Sequence, residues 1–126
     1  MRFWVPIWAH AKWIAALREH IYGGKELDRT LIDRTDRCEL GRWLRGEGAR
    51  FGHLPAFAEV VAAHEAVHRR AVTVVALADA GRRLEAEAET AAGGELRRRS
   101  RVLVRALRRL NSQIVGTPEP VAAFSA

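Results

Sequence analysis

The feature that most constrains this chain is an apolar run at helical spacing with two histidines where hydrophobic residues are expected. Phe57, Val61, His64, His68, Ala71, Val75 and Ala78 recur at fours and threes, the signature of one buried helix face. His64 and His68 are four residues apart, so a helix stacks them one turn apart on that face. A lone histidine in such a place is most often a core residue with satisfied ring nitrogens. Two in register need partners for four nitrogens, and one shared metal ion satisfies two of them at once. The rest of the chain then has to supply the remaining ligands.

Around this run the sequence reads as helices. Pro6 suits a first turn, and Ile7, His10, Trp13 or Ile14, Leu17 and Ile21 follow at helical spacing until Gly23-Gly24 ends the pattern. Residues 25–37 are polar, with Leu27, Leu31 and Ile32 suggesting one short turn and a loop. Next comes Asp36-Arg37-Cys38-Glu39-Leu40-Gly41-Arg42-Trp43-Leu44, a short amphipathic piece with Asp36 as the expected cap. Gly46, Gly48 and Gly52 then break the chain. Pro55 opens the long helix, which is expected to run to about Ala80, with Gly81 ending or kinking it. Leu84 to Ala92, rich in alanine and glutamate, is helical in character. After Gly93-Gly94, Leu96, Leu103, Leu107, Leu110 and Ile114 define a last amphipathic helix, and Pro118 and Pro120 mark a loose tail over 117–126. With no strand-like alternation, the expected fold is all-α, an antiparallel four-helix bundle over residues 1–116 with one short helical segment carrying the cysteine.

At 126 residues this is a single domain, and 48% hydrophobic with 29% charged residues excludes a disordered chain. A lone cysteine, Cys38, allows no intrachain disulfide. The apolar start is interrupted by His10 and Lys12, so it reads as neither a signal peptide nor a membrane span, and a cytoplasmic location is expected. The net charge of +6 resides in residues 93–116, where seven arginines face only Glu95; the remainder carries 14 basic and 14 acidic residues. Arg98, Arg101, Arg105 and Arg108 or Arg109 form a stripe opposite the leucines, usually a solvated face. With no aromatic interleaved, base stacking on nucleic acid finds no support.

The soft ligands on inward positions are His10, Cys38, His64 and His68, together a full His₃Cys tetrahedral zinc set. The order His10-x-x-Trp13, Cys38-x-Leu40-Gly41-x-Trp43 and His64-x-x-x-His68 resembles the chemoreceptor zinc-binding (CZB) domain family, over about His10 to Leu110. The resemblance implies that these four residues bind Zn²⁺ inside a four-helix bundle. It also implies a bacterial sensor of zinc or oxidants that pairs as a homodimer and controls a chemoreceptor or a diguanylate cyclase. No methyl-accepting or cyclase-like stretch accompanies it here, so the signalling partner is expected in trans or elsewhere in a larger chain. Trp13 and Trp43 are placed to wall the site or simply to pack. Gly41 permits close backbone approach or a positive φ. Asp33 and Asp36 are placed to hold a ligand imidazole, though a cap or solvated loop is their commoner role. His20 and His53 fall outside the pattern.

Two other readings exist. His64-Glu65-Ala66-Val67-His68 is literally H-E-x-x-H, the metallohydrolase helix with glutamate as general base. Such chemistry needs an open coordination position and a cleft for substrate, whereas four protein ligands close the site. A di-iron bundle would need inward carboxylates that are missing. The other reading is a helical interaction module binding an acidic partner through the arginine stripe. The expectation is a non-enzymatic sensor.

Overall fold

A computed structural model describes the backbone of residues 4–23, 26, 27 and 29–116, and the side chains of 11–23, 26, 27, 30 and 32–116. Among the described residues the chain is helical and contains no strand. Four helices have eight residues or more: α1 (Trp4–Ile21), α4 (Pro55–Asp79), α5 (Arg83–Thr90) and α6 (Glu95–Gly116). Two shorter ones, α2 (Arg29–Asp33) and α3 (Glu39–Arg45), lie between α1 and α4, followed by a 3₁₀ turn at Glu47–Phe51. The expected tail, 117–126, lies outside the described residues.

α1 buries Ile14, Leu17 and Ile21 at steps of three and four, and Gly23 at φ +78° ends it in a conformation only glycine adopts cheaply. α4 starts at Pro55 after the extended Leu54. Its end is a Schellman arrangement: Gly81 sits at φ +78°, and the amides of Arg82 and Gly81 donate to the carbonyls of Leu77 and Ala78. Gly81 therefore terminates the helix and does not kink it.

The apolar face of α4 is wider than its sequence pattern suggests. Of the anticipated seam, His64, His68, Ala71 and Val75 are buried, while Phe57, Val61 and Ala78 are half-buried. A second stripe, Ala56, Val60, Ala63, Val67 and Val74, is buried beside it. The reason is that α4 packs two sides, so its apolar arc exceeds that of a two-helix seam. One side meets α6, whose Leu96, Leu103, Leu107 and Leu110 are fully buried. The cross-links Ala56–Gln113, Glu59–Arg109 and Ala66–Arg99 run in opposite order along the two helices, so this pair is antiparallel. The other side, bearing the histidines, meets α2 and α1. Each buried leucine contributes roughly 2 kcal/mol, against about 0–1 for an exposed pair such as Glu59–Arg109. Packing, not the ion pairs, holds α6 in place.

The arginines of α6 are largely engaged within the chain. Arg98 and Arg99 pair with Glu95, Arg101 donates to the Ala92 carbonyl, and Arg109 pairs with Glu59. Arg105 and Arg108 are exposed.

Candidate metal centre

Cys38 is the N-cap of α3. Its backbone is extended, and its sulfur accepts the Gly41 amide at 3.3 Å, the service an N-cap side chain normally provides. The anticipated cap, Asp36, instead makes a bidentate pair with Arg34 (2.8 and 3.0 Å). Cysteine takes the role because α3 starts two residues later than a cap at Asp36 would require. Gly41 permits this through close approach and not through a positive φ. A Cβ there would overlap the Thr35 carbonyl oxygen and lie 2.7 Å from its carbon. The Thr35 carbonyl in turn faces the Cys38 sulfur at 3.9 Å.

From α4, His64 and His68 present their Nε2 atoms to this sulfur. The Cys38 Sγ lies 3.1 Å from His64 Nε2 and 3.5 Å from His68 Nε2, and the two nitrogens are 3.0 Å apart. Tetrahedral zinc with ordinary Zn–N and Zn–S bonds separates its donors by about 3.3 Å (N···N) and 3.6 Å (N···S). The three donors thus already sit at nearly the edge lengths of a zinc coordination shell.

Protonation fits the same ion. His68 Nδ1 is 2.9 Å from the Ile32 carbonyl. A carbonyl only accepts, so Nδ1 carries the proton and Nε2 offers its lone pair to the cluster. Burial pushes the His68 pKa down, against the Ile32 carbonyl, which favours the neutral imidazole that metals bind. Burial pushes the Cys38 thiol up, partly offset by the Gly41 and Leu40 amides. A thiolate beside these imidazoles in a part-buried place is stabilised by a cation. Cys38, His64 and His68 therefore lie close enough, and with suitable chemistry, to coordinate a metal.

Trp13 closes one side, its ring 4.9 Å from that of His68. Trp43 is stacked on Phe51 and covers Gly48. Asp33 is exposed at the end of α2, so the imidazole is oriented by the Ile32 carbonyl and not by a carboxylate. Sequence carries no signal for that contact, because every residue has a carbonyl. His10 lies in α1 one turn before Trp13, and its side chain is outside the described residues. His20 pairs with Asp79 at 3.3 Å, and His53 is exposed. Glu65, the glutamate of the H-E-x-x-H string, is exposed and reaches Arg69 at 3.8 Å.

Among the described residues no helix is long and apolar enough to cross a membrane. No curated protein and no solved structure is significantly similar to this chain. The sequence model of the chemoreceptor zinc-binding domain matches residues 10–75, from α1 through most of α4, and includes every residue of the donor cluster. The match stops short of Leu110, leaving α5 and α6 beyond it. With half of its length matched and the metal-binding donors assembled where α3 meets α4, the chain belongs to the chemoreceptor zinc-binding domain family, a family of zinc-binding sensor domains.

Proposed function

We propose that this chain is a zinc-dependent regulatory module in which His10, Cys38, His64 and His68 hold one Zn²⁺, and in which the state of that site controls a signalling partner. The observation that carries it is the donor triangle of Cys38, His64 and His68, with separations of 3.0–3.5 Å. His10 as fourth ligand is supported by its position one turn before Trp13, whose ring lies against His68. In this reading α1, α4, α5 and α6 form the antiparallel bundle, and the 29–45 segment is its movable member, tied down through Cys38.

Zinc supplies a Lewis-acidic anchor that keeps the Cys38 thiolate charged. The chain's residues supply the switch. Ile32, Leu40 and Leu44 are buried but belong to short helices of five and seven residues, so the Cys38 contact adds a tie that those three apolar anchors alone do not provide. Releasing Cys38 frees it to change how the bundle presents a surface. Oxidants reach the same switch. The Cys38 thiolate attacks a hydroperoxide at its terminal OH oxygen, the O–O bond breaks with the electron pair leaving on the other oxygen as hydroxide or alkoxide, and the sulfenic acid formed is a weaker ligand. The output is a partner such as a chemoreceptor or a diguanylate cyclase, in cis or in trans, with the module acting as a homodimer. No catalytic step is assigned to the chain.

The test is metal content by elemental analysis with a zinc titration on wild type, Cys38→Ala and His10→Ala. About one zinc per chain, with affinity lost in Cys38→Ala and weakened in His10→Ala, is expected. A wild type that neither carries nor takes up zinc would refute the reading.

A further inference from the structure

The Trp13 ring lies against His68 and the Thr35 carbonyl and Gly41 amide face the Cys38 sulfur, and one of the three donors, His68, also lines a cleft at the surface. A cleft of about 190 Å³ lies between the end of α2 and the outer side of α4, lined by Asp33, Thr35, Glu65, His68, Arg69 and Val72. At roughly 30 Å³ per water, it has room for an ion that still carries several waters. His68 is 4% exposed, and it is a wall of this cleft. Asp33 and Glu65 come from different elements, α2 and α4, and line the same opening. Glu65 also approaches Arg69 at 3.8 Å with both side chains well exposed, a weak tie that a cation readily outcompetes.

We infer that this cleft is the route by which zinc is exchanged at the site, with Asp33 and Glu65 as transient oxygen ligands and Arg69 as the opposing charge. The inference rests on the zinc reading above. The chemistry requires such groups. A hydrated zinc ion must shed water stepwise before three soft donors can close on it, and carboxylates bind it at about 2.0–2.2 Å while that happens. Two carboxylates at the mouth also raise the local cation concentration, and the Arg69 guanidinium lowers it. This assigns a use to Glu65 that needs no hydrolytic chemistry from the H-E-x-x-H string.

The test follows uptake of ZnCl₂ by metal-free protein in stopped flow, read by tryptophan fluorescence, beside an equilibrium zinc titration. Glu65→Gln and Asp33→Asn are each expected to slow uptake about three- to ten-fold, the lower end of electrostatic steering, with the release rate, obtained from Kd and the uptake rate, no faster than in wild type. Arg69→Gln is expected to speed it. Both effects should shrink as salt shortens the Debye length, and Glu85→Gln on α5, outside the cleft, should do nothing. Opposite signs cannot come from a general loss of structure. Rates unchanged in all three cleft variants, or shifted in one common direction, would overturn the route. So would zinc release that speeds up in the carboxylate variants, because the carboxylates would then be stabilising the bound ion. A wild type with no zinc in the titration refutes the site itself, whereas a wild type that binds zinc with variants of unaltered kinetics refutes only the route.

Discussion

Replacing Gly41 with alanine should have the opposite effect to the one its helical position suggests. In an ordinary helix this change stabilises by about 1 kcal/mol, because glycine is the poorer helix former. Here the new methyl would overlap the Thr35 carbonyl oxygen, lie 2.7 Å from its carbon and stand 3.1 Å from Asp36 Cα. Carbon atoms pack at about 3.5–4.0 Å, so the 35–36 backbone must retreat by roughly 1 Å. Thr35 and Gly41 both contact the Cys38 sulfur, at 3.9 and 3.3 Å, so the retreat also loosens the cap of α3. Overpacking against backbone costs about 1–3 kcal/mol and a lost cap about 1 more. Less the roughly 1 kcal/mol gained in helix propensity, the net destabilisation expected is about 1–3 kcal/mol. For a domain of this size that is a fall in Tm of roughly 4–12 °C, measured on metal-free protein by circular dichroism. Zinc affinity should drop in the same variant, because Cys38 moves relative to His64 and His68. Gly93→Ala is the control, as nothing lies within 4 Å of its new Cβ, and its Tm should hold within a few degrees. A Gly41→Ala protein with unchanged or raised Tm would refute the close-approach argument.

Leu103→Ala should lower stability by about 3 kcal/mol, since the side chain is fully buried and its loss leaves a cavity. Urea unfolding reads this as a reduced midpoint at constant slope, and a loss under about 1 kcal/mol would place the α4–α6 interface elsewhere. The Arg70 guanidinium holds the Glu89 carboxyl below its usual range, through a hydrogen bond of 2.7 Å. With the folded pKa depressed, this pair stabilises above the unfolded value of about 4.3 and the benefit is lost as pH falls through the folded pKa. Wild-type Tm should therefore fall more steeply on acidification than that of Glu89→Gln, and parallel acid limbs would remove the pair's role.

Much of the fold was legible because period and punctuation agree. Leucines at sevens, fours and threes define α6, Pro55 starts α4, and glycines at 23 and 81 end α1 and α4 where φ turns positive. The donors Cys38, His64 and His68 were legible too, because soft ligands on apolar faces have few other uses. What went astray was local. Asp36 is the better cap by propensity, yet Cys38 caps α3, since the start of a short helix depends on what it packs against.

By itself, then, the sequence determined that this chain is helical, where its long helices break, and that Cys38, His64 and His68, which it grouped with His10, could share one ion. Period, turn residues and ligand chemistry are properties of short stretches and need no partner. Tertiary structure alone decided that α4 buries two stripes, one against α6 and one bearing the histidines. It alone set the 3.0–3.5 Å triangle, chose the Ile32 carbonyl to orient His68, and left a cleft between Asp33 and Glu65. Apart from the His64–His68 edge, which lies within one helix, those are relations between residues about 26 to 36 positions apart along the chain, and they exist only once packing brings the elements to one point.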